Sequence, residues 1–340
     1  MRLVGSRVVV TGGAGFIGSE LVRQLLREGA QVLVVDNLCT GRRENIRDLI
    51  GDNVSLVVED IRDTEAMKRC LQGARLVFHL ACRGVRHSIH SPKENHEVNA
   101  TATLGLLSAA REAGVTRFVY VSSSEVYGTG LSVPMTEHHP AFPMTVYGAS
   151  KLAGECYARA YYRTYGYHTV ILRPFNTYGP RSHHEGDSGE VIPKFMLRCM
   201  AGQPMVVFGD GTQTRDFTYV SDVAGGILAA GVCRDVAGQT INLGYGDEIT
   251  INKLAEAVRA VVGKPDATVT HEEPRPGDTL RLYADIGYAG EVLGYRPAVP
   301  LTQGLRLLRS WYEGLDTAPE ELLREERVFN WESQPSESRS

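Results

Sequence analysis

An α/β fold is predicted, a Rossmann-like doubly wound parallel sheet with a smaller C-terminal α/β substrate-binding lobe, and three observations predict it. A glycine-spaced turn, Gly12-x-x-Gly15-x-x-Gly18, follows the apolar run 7–10 and leads into a helical pattern with Leu21, Val22, Leu25 and Leu26 on one face. Strand-like runs at 7–10, 31–35, 54–58, 76–80, 117–122 and 168–173 alternate with helical patterns as far as residue 180, the rhythm of repeated β-α units. The second run ends in Asp36-Asn37, about twenty residues past the glycines, where a carboxylate completes a dinucleotide fingerprint.

Each element has a physical role. Glycines at 12, 15 and 18 remove the Cβ atoms that would keep main-chain N–H groups from a pyrophosphate, and the dipole of the following helix favours negative charge there. Asp36 can accept hydrogen bonds from ribose hydroxyls and would repel a 2′-phosphate, so NAD is expected rather than NADP. Arg42 and Arg43 follow close by, but Asp36 holds the strand end. As an alternative, Asp36 merely caps a turn.

Past residue 180 the chain changes to loops rich in Gly, His and Asp, interrupted by helical patterns at 192–201, near 222–230 and at 250–262, and by a Phe208-Gly-Asp-Gly turn. The run 239–243 could return to the sheet. The expected organisation is an NAD-binding domain over 1–180 with a return segment near 239–246, a substrate lobe over 181–315 and a C-terminal extension over 316–340. The residues from Glu332 onward lack apolar side chains and are expected to be disordered.

The 340 residues carry a net charge of −4 and are 43% hydrophobic and 22% charged. This is ordinary for a globular protein and gives no reason to expect a nucleic-acid partner. Six scattered cysteines form no Cys-x-x-Cys pair, which suits reduced thiols and a cytoplasmic location. The first residues do not read as a signal peptide, and no apolar stretch is long enough to span a bilayer. His183 and His184 beside Glu185 and Asp187 read as solvent-facing loop residues, and no metal is expected.

Tyr147 and Lys151 stand one helical turn apart at the start of a helix expected to run to Tyr165, so both can face one pocket. An ammonium beside a phenol favours the phenolate, an oxidised nicotinamide ring adds positive charge nearby, and the tyrosine pKa is expected to fall toward neutrality, where it can act as base and then as acid. A further run, Tyr120-Val-Ser122-Ser123-Ser124-Glu125-Val126-Tyr127-Gly128, ends a strand in three hydroxyls at its C-terminal end, which in an open parallel sheet is where ligands bind.

With these motifs together, the chain resembles the extended short-chain dehydrogenases/reductases of the nucleotide-sugar epimerase/dehydratase group. The likeness runs from about residue 6 to about 312 and includes Asp60-Ile61, His79-Leu80-Ala81, Arg173-Pro-Phe-Asn176, Arg215-Asp-Phe-Thr-Tyr219 and Arg275-Pro-Gly-Asp278 in family order. The resemblance implies Ser123, Tyr147 and Lys151 as catalytic residues, with Glu125 a further candidate. For NAD it implies Gly12, Gly15, Phe16, Ile17, Gly18, Asp36, Asn37, Thr40, Asp60, Ile61, Leu80, Ala81, Asn99, Pro174 and Phe175 together with Tyr147 and Lys151. Asn99 could instead cap the helix expected over 99–113. For the sugar nucleotide it implies Arg86, Ser124, Asn176, Val191, Lys194, Arg215, Arg275 and Asp278, with Arg215 and Arg275 on the diphosphate.

The shared first step would be removal of a sugar hydroxyl proton by Tyr147 while NAD takes the hydride from C4. Return of the hydride to the other face makes a 4-epimerase of UDP-hexose or UDP-uronate type, the leading expectation. Segments Asp36-Asn-Leu-Cys39 and Gly84-Val85-Arg86-His87-Ser88 resemble such epimerases, whereas His183 stands where uronate epimerases tend to carry arginine. Glu125 directly before Val-Tyr-Gly resembles 4,6-dehydratases and UDP-glucuronate decarboxylases, the alternatives, since a carboxylate there could remove the C5 proton. An NAD-binding scaffold without activity is the remaining alternative. Tyr157, Tyr161 and Tyr165 at helical spacing read as packing, and by resemblance their helix and the one near 99–113 imply a homodimer.

Overall fold

The computed structural model describes residues 2–332, so the tail expected to be disordered lies almost wholly outside the described residues. Six strands, β1 (Arg7–Thr11), β2 (Gln31–Val35), β3 (Val54–Val57), β4 (Leu76–His79), β5 (Arg117–Val121) and β6 (Thr169–Pro174), form one sheet. Four short strands follow: β7 (Asn176–Tyr178), β8 (Met205–Phe208), β9 (Thr214–Arg215) and β10 (Phe217–Tyr219). The chain then returns as β11 (Thr240–Leu243) to the edge beyond β6. The order is β11-β6-β5-β4-β1-β2-β3, all parallel.

Both faces of this sheet are covered, which explains why its strands read as unbroken apolar runs. Val8 and Val10 point to the face carrying α1 (Phe16–Arg27), while Val9 points to the opposite face with α2 (Thr64–Leu71), the two-residue period of a strand. The second face also holds α5 (Ala102–Glu112) and α6 (Val146–Tyr165), through Leu106, Leu107 and Ala158. On the first face, Val223, Ala224 and Ile227 of α8 (Val220–Val232) join α1. The cofactor-side body therefore takes in residues 220–243 as well as the first 180. Between α2 and α5 run α3 (Val85–His90), α4 (Pro92–His96) and a π turn over Glu97–Thr101.

A separate apolar cluster builds the lobe from α7 (Val191–Met200), α9 (Ile251–Val262) and a C-terminal helix, Leu301–Glu313, around β8. Small sheets pair β8 with a strand at Val269–Glu272 and β9 with strands at Ile249–Thr250 and Arg281–Leu282.

The strand order reverses between β1 and β4, and the crevice at their carboxyl ends is where such sheets bind ligands. His79 pins that point. Its Nδ1 lies 2.7 Å from the Thr11 hydroxyl and its Nε2 2.9 Å from that of Thr103. Burial, reinforced by Lys151, pushes its pKa down to about 3, so it stays neutral. Among the described residues, no helix is long and apolar enough to cross a membrane.

Candidate active site

The cofactor end of the crevice is built from main chain. Gly12 has φ +71°, and a Cβ there would fall 2.7 Å from the Ala81 nitrogen; one on Gly18 would overlap the Gly12 carbonyl. The loop and the start of α1 can pack this closely only with glycine at both positions. Gly15 caps α1 without a side-chain hydrogen bond, and the first turn carries no acid. Its N–H groups thus remain available for a phosphate anion.

Asp36 accepts the N–H of Ala14 (3.0 Å) on one carboxylate oxygen and that of Leu38 (2.9 Å) on the other. The two readings of Asp36 are compatible, because a carboxylate holding two N–H bonds keeps lone pairs for ribose hydroxyls. Burial pushes its pKa up, opposed by those two bonds. Asp60 accepts from Asn37 (2.8 Å) and pairs with Arg62 (2.8 Å), which holds its carboxyl at about 2. The residues present fit NAD: a bare helix N-terminus for its pyrophosphate and a buried carboxylate for its ribose.

At the end of β5 the three serines diverge. Ser122 donates to Glu155 (2.7 Å) and belongs to the framework. Glu155, fully buried on α6, also takes the fork of Arg173 at 2.8 and 2.6 Å. One carboxylate thereby ties together α6, the end of β5 and the end of β6. Ser123 caps the turn over Ser124–Val126 by accepting the Glu125 N–H at 3.2 Å, and its hydroxyl acts on the Tyr147 phenol to lower its pKa. Ser124 and Glu125 are buried in the cavity wall, and among the described residues the Glu125 Oε2 has no hydrogen-bond partner.

In the protein without NAD, burial holds the Tyr147 phenol well above the usual value, with Cys82 adding to the effect and Ser123 opposing it. The reason is the position of Lys151: its Nζ donates to the Val121 carbonyl at 2.8 Å and lies 6.0 Å from the Tyr147 ring centroid. A lysine held there cannot by itself offset the lost hydration of the phenolate.

The substrate end is a set of opposed charges. Asp278 takes a guanidinium nitrogen of Arg215 at 2.7 Å and one of Arg275 on the same oxygen. Arg86 forms no ion pair among the described residues, and burial together with Arg275 pushes its pKa down to about 10. Burial and Arg86 likewise push the Lys194 ammonium down to about 7, and its Nζ donates to the Arg327 carbonyl at 2.6 Å. Asn176 faces the cavity with its Oδ1 unpartnered.

One continuous cavity is lined by every residue singled out from the sequence except Asn99. Asn99 is a buried polar group as expected, and the correction concerns its capping role. Its amide oxygen accepts the Arg83 N–H at 2.8 Å, while its Nδ2 donates to the Arg83 carbonyl (2.9 Å) and to Asn95 (3.0 Å). Nor does it cap a helix, because it lies inside the π turn that joins α4 to α5. His183 and His184 are a second correction. Neither faces solvent, since both pair with Glu185, at 3.0 and 3.4 Å. Burial opposes charge on His183, yet Glu185 raises its pKa overall. Tyr165 is a third: Tyr157 and Tyr161 pack on the core, but Tyr165 is half exposed beneath the Arg111 guanidinium.

Sequence reasoning missed Glu190, Phe208 and four residues of the C-terminal extension, Glu326, Val328, Asn330 and Trp331, all of which line the cavity. The only signal for the last group was a short apolar cluster, Val328-Phe329-Asn330-Trp331, in an otherwise polar extension.

Comparison with known proteins agrees with this geometry. Residues 8–244 match the model of the NAD dependent epimerase/dehydratase family. The UDP-glucose 4-epimerase of Mycolicibacterium smegmatis is 38% identical over 303 residues, 88% of this chain and 96% of that protein. UDP-glucuronic acid decarboxylase 1 of Arabidopsis thaliana is 37% identical over 306 residues, 88% of this chain and 68% of that protein. The structure of a dTDP-glucose 4,6-dehydratase from Streptomyces venezuelae, solved with NAD, superposes with a TM-score of 0.85 at 36% identity, covering 90% of this chain and 97% of that one. The chain belongs to the NAD-dependent epimerase/dehydratase family of nucleotide-sugar enzymes.

Proposed function

We propose that the protein is an NAD-dependent nucleotide-sugar 4-epimerase, acting on a UDP-hexose or UDP-uronate through a transient 4-keto sugar. The observation that carries the reading is the Ser123–Tyr147–Lys151 unit at the end of β5 and the start of α6, facing the cavity beside the glycine loop. Reversible oxidation at C4 requires no other group. Bound NAD supplies the hydride acceptor and returning donor and, when oxidised, a second positive charge near the Tyr147 phenol.

Tyr147 takes the C4 hydroxyl proton as the C4–H bond breaks, holds it while the sugar is a ketone, and returns it to the new hydroxyl. Ser123 donates a hydrogen bond to the carbonyl oxygen as it forms, and Lys151, fixed by Val121, keeps a positive charge beneath both. Asn99 acts at one remove by holding the loop that carries Arg83 and Gly84.

A second reading rests on Glu125. A buried carboxylate oxygen with no partner, in the wall next to Ser123, favours a base for the C5 proton and hence a 4,6-dehydratase or a decarboxylase. The reading as a homodimer is supported by Leu104 on α5 and Tyr162 and Tyr165 on α6, exposed apolar side chains on neighbouring helices.

The test is to incubate the protein and NAD separately with UDP-glucose, UDP-glucuronate, UDP-N-acetylglucosamine, dTDP-glucose and GDP-mannose, and to follow each by chromatography with mass spectrometry. A product of unchanged mass from a UDP-sugar supports epimerisation. Loss of water or carbon dioxide, abolished by Glu125→Gln, replaces it with the second reading.

A further inference from the structure

Past the turn of helix at Pro319–Leu322, residues 323–331 run back across the lobe to the cavity. This strap is fastened along its length. The Gly186 N–H donates to the Glu325 carbonyl (2.9 Å), Arg198 Nε contacts both oxygens of Glu326 (2.9 Å each), and Lys194 donates to the Arg327 carbonyl (2.6 Å). Asn330, almost wholly buried, donates to the Gly189 carbonyl (3.0 Å). From the cofactor side, Arg42 reaches Glu325 at 3.2 Å. A segment held this often has one position, and that position places Val328, Asn330 and Trp331 in the cavity wall.

Facing the strap is β8. The N–H groups of Met205 and Gly209 donate to the Thr268 and Glu272 carbonyls on its paired side. The alternation of a parallel ladder therefore turns the N–H and C=O of Val206 to the open edge, and Val206 lines the cavity. The Trp331 ring stands edge-on to Phe208 with centroids 4.7 Å apart at 78°, and Phe329 packs behind both. An aromatic wall beside one free main-chain donor and one acceptor suits a flat heterocycle with polar atoms on its rim. The chain from Phe208 leads directly to Arg215 in β9, so this corner adjoins the arginines.

We propose that the C-terminal strap is the base-selecting wall of the substrate site, with Trp331 packed against the nucleobase of a nucleoside diphosphate and Val328 and Asn330 setting the width of the slot. The proposal rests on the nucleotide-sugar reading but is tested separately from it.

UDP is the probe, and inorganic pyrophosphate the control for the arginines alone. The chain has two tryptophans, so Trp311→Phe leaves Trp331 as the only indole. UDP is expected to change its fluorescence, and pyrophosphate to leave it unaltered. In calorimetry, Trp331→Ala is expected to raise the Kd for UDP about tenfold or more, as loss of a base-stacking aromatic does, with pyrophosphate affinity and bound NAD unchanged. Val328→Trp, which fills the slot without removing packing, is expected to weaken UDP to a similar degree and serves if Trp331→Ala does not fold. Unchanged UDP affinity in the folded variants would overturn the strap's role while leaving the nucleotide-sugar reading intact. Failure of the parent protein to bind UDP, dTDP, GDP or ADP would overturn both.

Discussion

The two ends of the cavity are built by different means. The end at the glycine turn is main chain, a tight loop and an uncapped helix start, with Asp36 locked between Ala14 and Leu38. The other end is lined by side chains from distant parts of the sequence, Arg86, Glu125, Lys194, Arg215, Arg275 and Trp331, with Arg215 and Arg275 already sharing Asp278 and Lys194 bonded to the Arg327 carbonyl. Main-chain geometry fixes a cofactor shared by a whole family, whereas a network of side chains can be re-paired to suit a different sugar or base. The difference also explains how one framework serves the epimerase, the decarboxylase and the dehydratase to which this chain is similar.

The junction of the two ends carries the largest predicted effect. Tyr147→Phe removes the phenol proposed to move the proton, and turnover is expected to fall by about 10²–10⁴-fold or more, with NAD content after purification unchanged. A scaffold protein without activity would have no turnover to lose. Next comes Glu155, which binds both ends to a common frame through Ser122 and Arg173. Glu155→Ala leaves a buried guanidinium unpaired and is expected to cost about 3–5 kcal/mol of stability, read as a lower urea midpoint.

These two positions also mark how far the sequence could be read. The glycine turn, Asp36 and the Tyr147–Lys151 pair were legible because each is a short local spacing with a fixed geometric result. The capping role expected of Asn99 failed because a lone asparagine carries no sign of which neighbour takes its amide, and the π turn that contains it has no sequence signature. Spacing brings Lys151 to the same face as Tyr147 without showing that Val121 holds its ammonium, a detail that only the fold supplies. The strap was missed because its contacts join residues more than a hundred positions apart, such as Lys194 with Arg327.

Smaller effects sharpen the contrast from each side. At the cofactor end, Asp36→Asn removes the charge that repels a 2′-phosphate, and discrimination against NADP is expected to weaken by about tenfold, measured by competitive loading. At the substrate end, Lys194 titrates near 7 in the folded protein against 10.5 ordinarily. Between those values the unfolded chain binds a proton that the folded chain does not, so this lysine's contribution makes stability rise with pH across that window. At and below pH 7 its full destabilisation is present. Lys194→Met is expected to flatten the slope of the unfolding midpoint between pH 7 and 9, and an unchanged slope would show that Lys194 is not the group responsible.

The central claim is that one proton-moving unit oxidises C4 and returns the same hydride, with no second base at C5. The most direct measurement is turnover of a UDP-sugar in deuterium oxide, with mass spectrometry and NMR of the product. The account predicts a 4-epimer of unchanged mass whose carbon-bound positions carry no deuterium. Deuterium at C5 or C6, or a product that has lost water or carbon dioxide, would contradict it and make Glu125 the centre of the chemistry.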